Sequence, residues 1–258
     1  MNIQHPVISC ICVTRGQPEM LKRAIRCFAG QSYPHKELVV VYEDDDAATD
    51  SFLKTGGLST ARDIRLIRAP AVPKVSLGQL RNVGIAAASG EYVCQWDADD
   101  WYHMDRLNIQ YERLREDGRD GIAMTQWIVF NAIDKKAYIS NRREVWEGSI
   151  LCRKSVLQQK PYEDKHLGED TATMDYLISR DSIYFLEDVP GIYVYIYHGS
   201  NTWNFDHWNE IFEASSALSH RDSVRVAEVL EGKYGIDVES RMLDLVIEGQ
   251  SLKQTESI

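Results

Sequence analysis

The segment Tyr92-Val93-Cys94-Gln95-Trp96-Asp97-Ala98-Asp99-Asp100 decides the fold. A short apolar run ends directly in carboxylates. In an open α/β sheet, ligands bind in the crevice outside the carboxyl ends of the strands, which is where such a run delivers its acids. The period-two alternation of a strand aims Asp97 and Asp99 the same way. Paired hard oxygen donors suit Mg²⁺ or Mn²⁺, which prefer carboxylates together with substrate phosphates. A metal-bound phosphate is the ligand this implies. The competing reading is a solvated acidic turn that caps the next helix.

Outward from this segment the first half of the chain alternates strand and helix patterns. Val7 to Val13 is apolar and β-branched, as a buried parallel strand should be. Glu19 to Gln31 follows with Leu21, Ala24, Ile25 and Phe28 on one helical face. Glu37 to Val41 reads as a second buried strand that ends in Glu43-Asp44-Asp45-Asp46, and Asp63 to Arg68 as a third. Leu77 to Ser89 reads as an alanine-rich helix closed by Gly90. Asp105 to Glu116 carries Leu107, Tyr111 and Leu114 at helical spacing. This βαβ rhythm predicts a mostly parallel sheet sandwiched by helices.

Beyond Gly118 the rhythm loosens. Ile122 to Phe130 and Ala137 to Ser140 read as strands joined by a hairpin connection over Asn131 to Lys136. Glu169 to Ser179 reads as helix, Ile183 to Leu186 and Ile192 to Tyr197 as extended, and the chain from Phe205 as helical with a polar, frayed end over Gln250 to Ile258.

Composition bounds the function. At 258 residues with 44% hydrophobic content the chain can bury a substantial core. A net charge of -10 argues against a nucleic-acid partner, because no basic excess exists to release phosphate counterions. Met1 to Pro6 lacks the features of a signal peptide, and no segment is long enough to span a bilayer. The five cysteines lack disulfide or metal spacing, with only Cys10 and Cys12 sharing a strand face; they read as buried thiols in a reducing cytoplasm. There is no dinucleotide fingerprint and no P-loop.

Four stretches occur in a telling order: Pro6-Val7-Ile8-Ser9 leading to Thr14; Glu37-Leu38-Val39-Val40-Val41 leading to acids; Gly78-Gln79-Leu80-Arg81-Asn82-Val83-Gly84-Ile85 with Ala88-Ser89-Gly90-Glu91-Tyr92; and Trp96-Asp97-Ala98-Asp99-Asp100. Together they resemble the inverting, GT-A-type glycosyltransferases of family 2, over roughly residues 6 to 200. The resemblance implies a GT-A-type α/β/α sandwich in residues 1–204, with a nucleotide-binding half over 1–117, an acceptor-binding half over 118–204 and a helical extension over 205–258.

The resemblance also implies roles. Asp99 would be the main ligand of a Mn²⁺ or Mg²⁺ ion, Asp97 a ribose or further metal partner, and Asp100 a support. Ala98 would line the nucleotide-sugar site beside them. Either Glu43 or Asp44 would read the base, by accepting the ring N–H of uracil; this chain departs from the usual Asp-Asp-small pattern there. Thr14 would touch base or ribose and Arg15 phosphate, with a surface role the alternative for Arg15. Arg81 and Asn82 would brace the nucleotide pocket, Arg81 by reaching the acidic strand ends or the ribose-phosphate. Asp170 would be the catalytic base with Glu169 its neighbour, against the alternative that both merely favour a helix N-terminus. His198, in the late loop Tyr197-His198-Gly199-Ser200-Asn201-Thr202-Trp203, would reach the metal or stay structural. Trp101 and Trp203 are candidate faces for a sugar ring, whereas Trp127 and Trp146 read as core or interface and His103 as surface.

The activity implied is sugar transfer from a nucleotide-diphosphate donor, UDP-linked, to a hydroxyl of a saccharide or lipid-linked acceptor, as in cell-surface polysaccharide synthesis. A binding relative without turnover is the non-enzyme alternative, and a metal-dependent phosphatase the other enzyme class. The C-terminal helices read as mainly solvated, with a bilayer surface, a partner or a second subunit as candidate contacts.

Overall fold

Strand alternation sorts the apolar residues of the central sheet into two cores. Ile8, Cys10, Cys12, Leu38, Val40, Tyr92 and Cys94 face one side, while Ile11, Val39, Val41 and Val93 face the other. A sheet apolar on both faces must be covered on both, which gives three layers. A computed structural model describes residues 5–56, 61–140 and 144–255. The N-terminal residues 1–4 inspected for a leader and the last residues 256–258 of the polar end lie outside the described residues.

The strands are β1 (Ile8–Val13), β2 (Lys36–Glu43), β3 (Ile64–Ala69), β4 (Tyr92–Gln95), β5 (Trp101–Tyr102), β6 (Gly121–Met124), β7 (Ile128–Asn131), β8 (Lys136–Ile139), β9 (Trp146–Arg153), β10 (Ile183–Leu186), β11 (Tyr193–Tyr197) and β12 (Ser216–Ala217). The helices are α1 (Pro18–Ala29), α2 (Ala47–Thr55), α3 (Leu77–Ala87), α4 (Arg106–Asp117), α5 (Lys154–Gln159), α6 (Thr171–Ser179), α7 (Phe205–Ala214), α8 (His220–Leu230) and α9 (Ile236–Thr255). The larger sheet has the order β10-β6-β9-β4-β1-β2-β3 and is parallel except for β9. A smaller sheet, β12-β8-β7-β11-β5, lies alongside.

Helix α1 starts on Pro18, whose fixed φ and missing N–H suit a first turn, and buries Leu21, Ala24, Ile25 and Phe28 against the first core. Helix α4 joins it there through Leu107, Tyr111 and Leu114 and stops at Gly118, in the left-handed region at φ 85°. Helix α3 covers the other face with Leu80 and Ile85, joined by Val156, Leu157, Met174 and Leu177 of α5 and α6. Trp208, Val226, Val229 and Leu243 bring α7, α8 and α9 into the first core.

Several expectations need correction. Residues 122–130 are not one strand: β6 and β7 lie in different sheets, separated by Thr125 to Trp127. Helix α3 is ended by Ala88, which is extended, and not by Gly90. Gly90 instead admits a close crossing, because a Cβ there would stand 2.6 Å from both Ser9 Oγ and Val7 O. Helix α2 and the reversed strand β9 were not anticipated from the pattern.

Candidate active site

The acids of the deciding segment lie just past β4, where Asp97, Asp99 and Asp100 have three different fates. Asp100 is buried at 1% exposure; it accepts hydrogen bonds from Tyr193 Oη at 2.6 Å and Ile196 N at 3.0 Å. Burial, with the charges of Asp99 and Asp97 added, pushes its carboxyl well above the usual range. It thereby pins β11 of the smaller sheet to the end of β4. That pinning brings the loop after β11 to Asp99, whose Oδ2 stands 3.1 Å from His198 Nε2 and 3.5 Å from Asn201 Nδ2. Arg23 of α1 donates to the carbonyls of Asp99 and Asp100 and fixes the turn from behind. Asp99 therefore caps no helix; Asp105 occupies the N-cap of α4.

Asp97 points to the other side. Its Oδ1 is 3.0 Å from Arg81 Nη2, and the Arg81 Nε is 2.9 Å from Glu169 Oε1. Burial works against the Arg81 charge, and Asp97, Glu169 and Asp170 more than restore it. The Asp97 carboxyl is itself raised, by burial first and by Asp99, with Arg81 pulling it back. The guanidinium in the small-residue helix α3 thus meets two carboxylates. Asn82 spends its amide on Tyr162, donating to the carbonyl at 2.8 Å and accepting from the N–H at 3.1 Å. It thereby ties the Tyr162 segment to α3. Ala98 packs its methyl into the first core.

At the ends of β1 and β2, Thr14 and Glu43 are buried, and Thr14 Oγ1 and Glu43 Oε1 have no hydrogen-bond partner. Buried polar atoms are normally satisfied, so unspent ones at a strand edge mark a place for a ligand. Arg15 holds Glu43 through its other oxygen and reaches Asp45 at 2.8 and 2.9 Å, so its charge is committed to protein acids. Asp44 is exposed and accepts from Ala71 N at 2.9 Å. Asp46 caps α2 and accepts from Gly16 N at 2.7 Å. Of the two candidates, Glu43 is the one in the buried crevice.

Asp170 is the N-cap residue of α6, yet its side chain makes no capping bond. Its carboxyl meets that of Glu147, a residue the sequence reading passed over. Glu147 enters through β9, whose antiparallel direction brings its first residues to the edge where β4 ends. The only available cue was an acid at the start of an extended apolar run. Glu169 is buried at 3% exposure and held by Arg81.

Two aromatic and imidazole expectations, those for Trp101 and His103, also change. Trp101 is fully buried and donates to Glu239 at 3.4 Å, so it offers no sugar-binding face. Trp203 is 37% exposed and stacks on His207 with ring centroids 4.2 Å apart. His103 is interior, 3.5 Å from Asp244, and burial lowers its imidazole.

An oxygen and a nitrogen donor 3.1 Å apart, as Asp99 and His198 present, fit neighbouring positions around one divalent cation with bonds of ~2.1 Å. Among the described residues no group of three or more His, Cys, Asp and Glu converges to hold a metal ion.

A family model described as Glycosyl transferase family 2 matches residues 9–176. The cholesterol galactosyltransferase of Borreliella burgdorferi is 28% identical over 129 residues, 50% of this chain and 35% of that protein. The amylovoran biosynthesis glycosyltransferase AmsB of Erwinia amylovora is 31% identical over 161 residues, 62% of this chain and 46% of that protein. The match takes in less than half of either relative's length. Among solved structures, S. aureus TarS 1-349 in complex with UDP-GlcNAc superimposes with a TM-score of 0.59 at 17% identity, covering 93% of this chain and 70% of that one. The mannosyltransferase PcManGT from Pyrobaculum calidifontis, in complex with GDP-Man and Mn²⁺, also gives 0.59, at 13% identity, with 95% and 73% covered. At these identities the likeness is one of fold: the chain has the GT-A-type α/β architecture.

Proposed function

The chain belongs to glycosyl transferase family 2, and on that footing we propose that it is an inverting, metal-dependent transferase. It moves a sugar from a nucleotide-diphosphate donor, UDP-linked, to a hydroxyl of a saccharide or lipid-linked acceptor in cell-surface polysaccharide synthesis. The candidate site residues lie within residues 1–204, and the chain after 204 packs α7, α8 and α9 into the same core and adds β12 to the smaller sheet. The observation that carries this reading is the meeting of Asp99 with His198 at 3.1 Å, beside an Asp170 whose carboxylate no cap consumes.

Each group has a task in such a transfer. The free acceptor atoms Thr14 Oγ1 and Glu43 Oε1 suit the ribose or base of the nucleotide, and Glu43 suits a uracil ring N–H. Arg81 keeps Asp97 in place as a donor-side acceptor of ribose hydroxyls. Asp99 and His198 would hold a Mn²⁺ or Mg²⁺ ion, which would supply charge to neutralise the departing diphosphate. Asp170 takes the proton of the acceptor hydroxyl as that oxygen attacks the anomeric carbon. The new bond forms on the face opposite the departing diphosphate, which leaves with the electron pair of the broken C–O bond, so the configuration inverts. TarS and PcManGT, with the same fold, were captured with UDP-GlcNAc and with GDP-Man plus Mn²⁺ respectively, which makes UDP- and GDP-sugars the donors to try first.

No helix among the described residues is long and apolar enough to cross a membrane. The five cysteines are buried and free, in keeping with the reducing cytoplasm we assign. A lipid-linked acceptor would place the protein at the membrane periphery.

Nucleotide release from a panel of UDP- and GDP-sugars, with and without Mn²⁺, tests the assignment. Wild-type protein should release nucleotide only with the metal, and Asp99→Asn should lose that release while keeping its thermal midpoint. Absence of metal-dependent release across the panel would reject the transferase reading.

A further inference from the structure

Strand β9 is the one reversed strand of the larger sheet. Cys94 stands opposite Leu151 and Met124 opposite Trp146, so the first residues of β9 arrive at the active edge while the parallel strands send their last ones. Glu147 is delivered to the start of α6. There Thr171 Oγ1 donates to Glu147 Oε2 at 3.2 Å, which sets the Glu147 carboxyl beside Asp170, the residue before Thr171.

Ionised carboxylates only accept hydrogen bonds, so Glu147 can donate to Asp170 only when it holds a proton. The surroundings decide where it resides. Burial first, then the charge of Asp170 and its hydrogen bond, push the Glu147 carboxyl up to about 8, against the pull of Thr171. The charges facing Glu147 from α6 are those of Asp170 and Asp175, both negative. On the β4 side, Asp97 Oδ2 would lie 3.3 Å from a Cβ on Gly148, and Asp97 is paired with Arg81.

Resting on the reading of Asp170 as the base, we propose that Glu147 is its positioning residue, which donates a hydrogen bond to one Asp170 oxygen and leaves the other for the acceptor hydroxyl. Thr171 occupies Glu147 Oε2 as an acceptor, which leaves Oε1 to carry the proton. Donation from Glu147 orients the Asp170 carboxyl, and orientation of the reacting group is what a positioning residue supplies. When the acceptor oxygen bonds to the sugar, its proton passes to Asp170. The pair then holds two protons and returns one to water before the next turnover.

Glu147→Gln and Glu147→Ala test this, because a glutamine amide can still accept from Thr171 and donate to Asp170 without titrating. Two readouts are needed. The first is thermal stability against pH, which needs no activity. A folded-state value raised to about 8 from 4.5 contributes stability that is lost as pH rises between those values. Wild type should therefore lose stability relative to Glu147→Gln from about pH 5 to about pH 8, with a constant gap above. A gap independent of pH overturns the proposal. The second readout is the kcat profile with the panel of donors. Glu147→Ala should lose about a hundredfold in kcat at unchanged donor KM, as misplacement of a base does. Glu147→Gln should stay near wild type and keep its rate above about pH 8, where wild type declines. Equal loss in both variants, or none in either, overturns it. Should wild type transfer no sugar, the transferase reading falls, and the stability profile still decides whether Glu147 holds the proton.

Discussion

His198 Nε2 stands 3.1 Å from Asp99 Oδ2, joining the chain just past two strands that belong to different sheets. Neither group alone makes a cation site. The pairing predicts that His198→Ala keeps the fold but needs about tenfold more Mn²⁺ for half-maximal nucleotide release, of the order expected when a supporting metal contact is lost. Metal titration of the activity checks it. An unchanged Mn²⁺ requirement would show that the imidazole is structural.

Asp100 is the reason these two groups meet. Its oxygens hold Tyr193 Oη and Ile196 N at 2.6 and 3.0 Å. Asp100→Ala would leave both donors buried without a partner, and should destabilise the protein by about 1–3 kcal/mol per orphaned group. It should also loosen the His198 loop. Tyr193→Phe removes one bond only, so it should weaken stability less and leave the Mn²⁺ requirement close to wild type. Chemical denaturation and metal titration of both variants separate the effects.

Arg81 joins Asp97 to Glu169 across the edge, with side-chain exposures of 8%, 21% and 5%. Breaking a buried pair by removing one partner is far worse than never having had it, because the other charge stays behind. Arg81→Ala should cost about 3–5 kcal/mol in unfolding free energy. Arg81→Met with Glu169→Gln, which removes one carboxylate as well, should recover part of that loss. A double variant no more stable than Arg81→Ala would mean that the ion pairs are not what holds the edge together.

Much of this arrangement was legible in the residues themselves. The continuous apolar runs of β1, β2 and β4, together with the helical patterns of α1, α3 and α4, specified the layered sheet, because strands apolar on both faces need cover on both. The acids after β4 and β2 announced the edge. What did not show was anything set by contact between distant segments. The direction of β9 is one case: a strand reads the same from either end until its partners are known, so Glu147 gave no cue of its destination. Helix α2 is another, being short, with only Thr49 and Leu53 buried. Trp101 and His103 were misjudged because adjacency to a motif says nothing about which way a side chain turns; both point into the core.

Glu43 has one oxygen committed to Arg15 and the other buried without a partner. If that free oxygen receives the base, Glu43→Gln should weaken UDP binding by about tenfold or more, the scale of a lost hydrogen bond to a charged group. Asp44→Asn should not, since Asp44 is exposed and tied to Ala71. Calorimetric titration with UDP and Mn²⁺ measures both. Equal weakening in the two variants would place the base elsewhere.

Gly78 and Gly84 sit on the same helix, and the structure gives them different neighbours. A Cβ on Gly78 would lie 1.9 Å from the carbonyl oxygen of Glu163 and 3.0 Å from Glu169 Cβ, and Gly78 N already donates to Lys165 O at 3.1 Å. Backbone cannot step aside as a side chain can. Gly78→Ala must push residues 163–169 off α3, drawing Glu169 away from Arg81 and shifting Asp170 behind it. A Cβ on Gly84 would instead meet Ile11 Cγ2 at 2.8 Å and Val41 Cγ2 at 3.0 Å, inside the second core and away from the acids. Both substitutions overpack, so each should cost about 1–3 kcal/mol in stability. Only Gly78→Ala should also depress kcat, and by more than its loss of folded protein explains, because it alone moves the proposed base. UDP affinity should survive in Gly78→Ala, since Thr14 and Glu43, at the ends of β1 and β2, lie outside the segment it moves. Equal kcat per folded molecule in the two variants would detach the 163–169 loop from the chemistry and remove the support for Asp170 as the base.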